Sequence, residues 1–129
     1  MIALEEGGYL AVATSDNVTD PSTEDAFPIY YSNNLVDWEL TGHVFPAGGW
    51  PQFCDRNMWA PEIHNVNGRW KWTIYFNFHL LSNYFRYLAY FSCSAPNSRH
   101  SIGVAETTTH LTGPYYDALS VPLIYHNEV

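Results

Sequence analysis

The stretch that decides the fold runs from residue 58 to residue 76 and reads MWAPEIH (58–64), NV (65–66), NG (67–68) and RWKWTIYF (69–76). It joins a tryptophan and a rigid proline corner to two extended segments that are rich in aromatic and β-branched residues. The Asn67-Gly68 pair between these segments tolerates the positive φ that a type I′ turn requires. Local chemistry therefore predicts a β-hairpin with its turn at Asn67-Gly68.

The composition of the whole chain favours strands and argues against two classes of partner. The 129 residues suffice for one domain with a buried core, and aromatic residues (17%) outnumber charged ones (14%), a balance that suits sheets better than helices. The formal net charge of −8 argues against nucleic acid or an anionic membrane as partner, because both bind basic patches. An acidic, aromatic-rich chain suits a neutral, hydroxyl-bearing ligand such as a sugar.

The two cysteines carry little information in the sequence alone. Cys54 and Cys93 are far apart, and neither has metal-ligand spacing around it. They could pair in an oxidising compartment, but we expect two free thiols. No set of His, Cys and carboxylates has the spacing of a metal site, so we expect no metal and no cofactor. Residues 1–6 show no signal-peptide pattern, and the localisation stays unknown.

Strand-like segments recur along the chain as two copies of one unit. Gly8–Ala13 aligns with Gly68–Thr73 at an offset of about 60, and Ile29–Leu35 aligns with Ile102–Thr108 at an offset of about 73. A unit of several strands that repeats at such a distance is typical of propeller blades. The alternative is a single β-sandwich in which the similarity is accidental.

The change of offset places an insertion of about 13 residues within the second copy. Segment 77–90 (NFHLLSNYFRYLAY) lies there and is almost wholly apolar and aromatic, but its polar residues exclude a membrane span. We therefore predict an all-β fold of two blades, 1–45 and 58–125, with a hydrophobic insert at 77–90. Non-native coding sequence such as a retained intron would explain the insert, and the alternative is a genuine hydrophobic arm or partner-binding strand.

Several short sequence motifs resemble, in the same order, those of family 43 glycoside hydrolases. They are Phe27–Trp38 (FPIYYSNNLVDW), Met58–Ile63 (MWAPEI), Asn67-Gly68, Ile102–Ala105 (IGVA) and Leu111–Tyr115 (LTGPY). The resemblance covers nearly the whole chain except the predicted insert. It implies a five-bladed β-propeller of the arabinofuranosidase, β-xylosidase or arabinanase type. Such enzymes act on arabinose- or xylose-containing plant polysaccharides, usually with inversion.

Inverting hydrolysis needs one carboxylate that activates water and another that protonates the leaving oxygen. The family's base lies in an Asp-Pro word just upstream of the position of Met1, and its other two carboxylates lie in later blades. The resemblance therefore implies that this chain holds no catalytic residue and is two blades of five, inactive alone. Asp20-Pro21 lies in a polar loop, and we expect it to form a turn rather than to act in catalysis. Asp55 and Glu62 would be the best acid–base pair if the chain were active alone.

Sugar-binding residues are predicted by the same resemblance. Trp59 and Ala60 match family positions that line the subsite for the terminal sugar, and Phe27 roughly matches an aromatic residue on the preceding blade. Flat aromatic faces suit the C–H faces of sugar rings. The alternative for Trp59 is a place in the core. The remaining strand tryptophans are expected to pack between blades: Trp38, Trp70 and Trp72.

Three functions are compatible with these observations. The first is a fragment of a glycosidase that hydrolyses O-glycosyl bonds in arabinan, arabinoxylan or xylan. The second is a non-catalytic carbohydrate-binding protein that retains the aromatic subsite. The third is a propeller-type interaction protein in which the apolar insert provides the contact surface.

Overall fold

The described part of the chain consists of strands and the loops that join them. The computed structural model describes residues 1–15, 17–66, 86–96, 99–107 and 111–125. Within these ranges it contains nine strands and no helix. The first sheet is antiparallel, and its strands follow chain order: β1 (Ile2–Ala3), β2 (Tyr9–Val12), β3 (Ala26–Ser32) and β4 (Glu39–Phe45).

The second sheet is also antiparallel and also follows chain order. It contains β5 (Arg56–Val66), β6 (Arg86–Ala95) and β7 (Arg99–Thr107). Its fourth position is shared by β8 (Tyr116–Asp117) and β9 (Ile124–Tyr125), which pair with different parts of β7. The all-β prediction is confirmed by these two sheets. That the sheets are propeller blades stays a prediction.

The predicted hairpin is described only in its first half. Residues 58–64 lie in β5 as expected, while the turn at Asn67-Gly68 and the strand 69–76 lie outside the described residues. The described partner of β5 is β6, in a register that pairs Ile63 with Ala89. Of the tryptophans expected between blades, Trp38 is 37% exposed, and the other two lie outside the described residues.

The C-terminal part of the predicted insert is strand. Residues 77–85 lie outside the described residues, but Arg86–Tyr90 forms the first half of β6. This half pairs on one side with β5 and on the other with β7, and Leu88 and Ala89 are buried. The last five residues of the predicted insert are thus part of β6, and the insertion itself stays a prediction. A short continuous apolar run is also the pattern of a central strand that is covered on both faces.

One hydrophobic core lies between the two sheets, with Phe91 of β6 at its centre. The ring centroid of Phe91 lies 5.7 Å from that of Phe27, 5.1 Å from that of Phe45 and 6.4 Å from that of Phe53. Phe27 and Phe45 come from the first sheet, whereas Phe53 precedes β5. The aromatic rings therefore pack the sheets against each other rather than filling two separate interiors.

The expectation of two free thiols is wrong, because Cys54 and Cys93 form a disulfide with a Cα–Cα distance of 5.6 Å. Both residues are buried. The next residues along the two segments are already joined, since the Asp55 N–H donates a hydrogen bond to the Ser94 carbonyl at 2.9 Å. Strand pairing thus brings together two cysteines that are 39 residues apart in sequence.

A second contact between the sheets is made by the loop that leads into β8. The Tyr115 N–H donates to the Val44 carbonyl of β4 at 2.8 Å, and the Tyr115 side chain is almost fully buried. Gly113 has a φ of +89° and lies against the His43 carbonyl so closely that a Cβ would overlap it. The glycine allows the loop to lie flat on β4.

Candidate functional site

The backbone of β5 is irregular on both sides of Trp59. The register with β6 shifts between Arg56 and Trp59 and again between Trp59 and Glu62. Asn57 has a φ of +55° and Ala60 has a φ of +49°. A positive φ is uncommon for alanine because its Cβ approaches the following carbonyl oxygen. Such bulges turn a side chain away from the regular pleat, and they are frequent beside functional sites.

The first sheet holds this bulged segment in place. Ser15 and Met58 form an isolated antiparallel bridge, in which the Ser15 N–H donates to the Met58 carbonyl at 3.0 Å. Two residues further along β5, the Ala60 N–H donates to the Thr14 hydroxyl at 3.4 Å. Residues next to the end of β2 therefore fix the backbone on both sides of Trp59.

Two serines of β6 hold the segment from the other side. The Ser92 hydroxyl donates to the Trp59 carbonyl at 3.2 Å. The Asn57 side-chain amide donates to the Ser94 hydroxyl, also at 3.2 Å, and Ser94 is buried. The first bond uses the backbone carbonyl of Trp59, and the second fixes the Asn57 side chain against β6.

The side chains at the site are open to solvent. Trp59 is partly exposed, Ala60 and Thr14 are exposed, and the Trp59 ring lies beside the ring of His100, an exposed residue of β7. The two ring centroids are 5.5 Å apart, and the ring planes are inclined by 34°. The structure thus brings Trp59 and Ala60 together at an accessible surface and excludes the alternative that Trp59 is fully buried.

Phe27 lies behind this surface rather than on it. Its side chain has no exposed area and packs against the rings of Phe45 and Phe91. A ring without exposed area offers no face to a ligand, so the burial of Phe27 does not favour its predicted contact with sugar, which stays a prediction. Its backbone still supports the site, because the Phe27 N–H donates to the Ser15 hydroxyl at 2.7 Å, and Ser15 bridges to Met58.

Residues 1–128 match the family model of glycosyl hydrolases family 43. The chain belongs to family 43. A search of curated proteins gives no match. Membership makes the chain part of a glycoside hydrolase family and implies a carbohydrate substrate in general terms. The match also confirms the sequence resemblance at the level of the family, but not at the level of subtype. The predictions for Trp59 and Ala60 depend on that resemblance.

The two carboxylates that would best serve as an acid–base pair in this family 43 chain contact residues one or two positions further along the chain. Asp55 pairs with Arg56 at 3.2 Å, and this hydrogen bond raises the pKa of Arg56. Glu62 lies 3.2 Å from His64, and its side chain is 75% exposed. An acid and a base that hydrolyse a glycoside flank the bond in a shared cleft. Exposed pairs with neighbouring residues do not have that arrangement.

The carboxylates of the loops serve local structure. Asp20 accepts hydrogen bonds from the Ser22 hydroxyl and backbone N–H and from the Thr23 hydroxyl, and these bonds lower its pKa. Asp20-Pro21 is thus part of a hydrogen-bonded turn, as its sequence predicts. Asp25 accepts from the Ala47 N–H.

Two searches for other functional features give negative results over the described ranges. No group of three or more His, Cys, Asp or Glu residues there could hold a metal ion. No helix in that part of the chain has the length and apolar character needed to cross a membrane.

A cleft of about 720 Å³ lies at a different place from Trp59. Its lining residues come from the β1–β2 connection, from the strand ends of both sheets and from the loop after β7: Ile2, Ala3, Leu4, Glu5, Glu6, Gly7, Tyr31, Asn65, Tyr87 and Leu111. Asn65 and Leu111 adjoin ranges 67–85 and 108–110, which lie outside the described residues. We therefore assign no binding role to this cleft.

The sequence did not indicate Thr14 or Ser92 as members of the site, and it indicated His100 only as a lone histidine that could face the channel. Each contacts Trp59 or Ala60 from a different strand or loop. The pairing of the strands brings these residues together. The Trp-Ala-Pro-Glu word is a local signal, whereas its neighbours are set by non-local pairing. The available signal for His100 was its position near the start of the strand that carries the Ile102–Ala105 motif.

Proposed function

We propose that this chain binds the terminal sugar of an arabinan, arabinoxylan or xylan at Trp59 and Ala60, as part of a family 43 propeller domain. The observation that carries the proposal is the double bulge in β5, which presents a partly exposed indole beside an exposed alanine. An indole face supplies the apolar surface on which the C–H groups of a sugar stack. A methyl side chain at the next position leaves space for the ring hydroxyls.

The backbone around Trp59 is held in an uncommon conformation, which is compatible with a binding role. A positive φ at a residue other than glycine costs about 1–2 kcal/mol and persists where surrounding contacts impose it. Here Asn57 and Ala60 both adopt it, and both are held by side-chain hydrogen bonds. The preference for arabinose or xylose rests on the family resemblance.

Trp59→Ala is expected to weaken binding of arabino- and xylo-oligosaccharides about 10- to 100-fold, because it removes the apolar face that a sugar would cover. Isothermal titration calorimetry on the purified chain measures this change. Trp38→Ala is the matched control, since Trp38 is also partly exposed but lies just before β4 of the first sheet. Equal affinities of the Trp59 variant and the native chain would contradict the proposal.

We also propose that the chain alone does not hydrolyse glycosides. The resemblance assigns no catalytic role to Asp55 or Glu62, whose carboxylates contact Arg56 and His64. General acid and general base catalysis each contribute about 10²–10⁴-fold to such a reaction. We therefore expect no turnover of aryl α-L-arabinofuranosides or aryl β-D-xylosides above background. Turnover that Asp55→Asn or Glu62→Gln removes would show that the chain carries its own acid–base pair.

A further inference from the structure

Trp59 and His100 meet across a strand that carries small side chains between them. Trp59 of β5 is paired with Ser92 of β6, while His100 of β7 is paired with Ser94 of β6. Residues two apart on a strand lie on the same face, so Ser92 and Ser94 share a face of the sheet. The two rings approach to a centroid distance of 5.5 Å over these serines.

The indole lies on a strand whose pairing is irregular on both sides of it. Register shifts flank Trp59, although Trp59 itself pairs with Ser92 of β6. Serine side chains are too short to hold a ring of this size from below. The His100 ring on the far side of β6 restricts the side-chain dihedral angles that the indole adopts. An indole that is already restricted in the free protein loses less conformational entropy when a sugar binds.

We propose that His100 is a positioning residue for carbohydrate binding, whose imidazole holds the Trp59 indole in the orientation that receives a sugar. The inference rests on the proposed function at Trp59 and adds a residue that neither the family words nor the composition indicates. His100 acts through Trp59 and needs no contact of its own with the sugar. Its contribution comes from ring packing, so another planar ring at position 100 should replace it.

Packing between two aromatic rings contributes about 0.5–1.5 kcal/mol, which corresponds to about a 2- to 10-fold change in affinity. We therefore expect His100→Ala to weaken binding of xylotriose and arabinotriose by that factor. We expect His100→Phe to retain the native affinity and His100→Gln, which keeps polarity without a ring, to resemble His100→Ala. His100 is exposed, so these variants should still fold cooperatively, and loss of the ring packing should lower the melting temperature by only a few degrees.

The decisive measurement is a double-mutant cycle by titration calorimetry with the same two trisaccharides. If His100 acts through the indole, His100→Ala should have no further effect in a Trp59→Ala background. Additive losses would overturn the proposal and show an independent contact with sugar. Failure of His100→Phe to restore binding, or native affinity in His100→Ala, would also overturn it.

The same experiment separates this inference from the proposed function. Loss of binding in Trp59→Ala together with native binding in His100→Ala leaves the sugar site at Trp59 and removes the role of His100. Native binding in Trp59→Ala, or no binding by the native chain, overturns both.

Discussion

Phe91→Ala should lower the free energy of unfolding by about 3–5 kcal/mol, the usual cost of removing a large aromatic ring from a core. Phe91 of the second sheet is 2% exposed and touches the rings of Phe27 and Phe45 from the first sheet. Its ring also lies on Gly103 so closely that a Cβ there would overlap it. The surroundings therefore fit this ring tightly, and a cavity would remain after its removal. Such a loss is a large part of the 5–15 kcal/mol that usually stabilises a domain.

Urea unfolding followed by far-ultraviolet circular dichroism measures this change. Tyr116→Ala is the control, because Tyr116 is also aromatic but 66% exposed in β8, and its removal should alter the free energy by no more than about 0.5 kcal/mol. Phe91→Leu should fall between the two. If Phe91→Ala costs no more than Tyr116→Ala, the two sheets do not share the core described above.

Replacing Cys54 and Cys93 together by alanine should lower the free energy of unfolding by about 3–4 kcal/mol. The disulfide closes a loop between residues 39 apart in sequence, and a cross-link of this length reduces the entropy of the unfolded chain by about that amount. Alanine keeps the buried positions free of polar groups. The native protein and the double variant should therefore differ in urea midpoint when no reductant is present.

A reductant provides the control for this prediction. Dithiothreitol should shift the urea midpoint of the native protein towards that of the double variant and should leave the variant unchanged. Thiol titration of the unreduced, unfolded protein should detect no free thiol. Two thiols per chain in that titration would contradict the disulfide and restore the expectation from sequence.

Strands with clear turns at their ends were predictable from sequence. The sequence predicts strands at Phe27–Ser32 and Trp38–Phe45, and these segments agree with β3 and β4 to within one residue at each end. Asn33-Asn34 separates the two segments, and the Asn34 side chain accepts hydrogen bonds from the backbone of Val36 and Asp37. Asparagine marks such turns because its side chain bonds the backbone two or three residues ahead.

The strand β6 could not be recognised in the same way. Its residues Tyr87–Phe91 form a continuous apolar run, and periodicity does not distinguish a fully covered strand from another kind of buried segment. The preceding range 67–85 includes the turn and second strand that the sequence assigned to the hairpin. The register of β6 with β5 and β7 is a tertiary property, and the Cys54–Cys93 disulfide depends on it.

The candidate site was predictable to the extent that it is local. Trp59 and Ala60 belong to one word of the sequence, and they lie together on the surface. The burial of Phe27 depends on how the first sheet packs on Phe91, and the neighbour His100 depends on pairing across β6. Register decides which side chains share a face, so both facts required the paired strands.

The bridge between Ser15 and Met58 makes the bulged segment around Trp59 inseparable from the first sheet. A shortened protein that began at residue 56 would keep Trp59 but lose the donor to the Met58 carbonyl and the hydroxyl that receives the Ala60 N–H. The bulge would then lack the contacts that hold its unfavourable φ values. The segment is consequently not a portable module: transplanting it into another scaffold requires that the end of β2 be carried along with it.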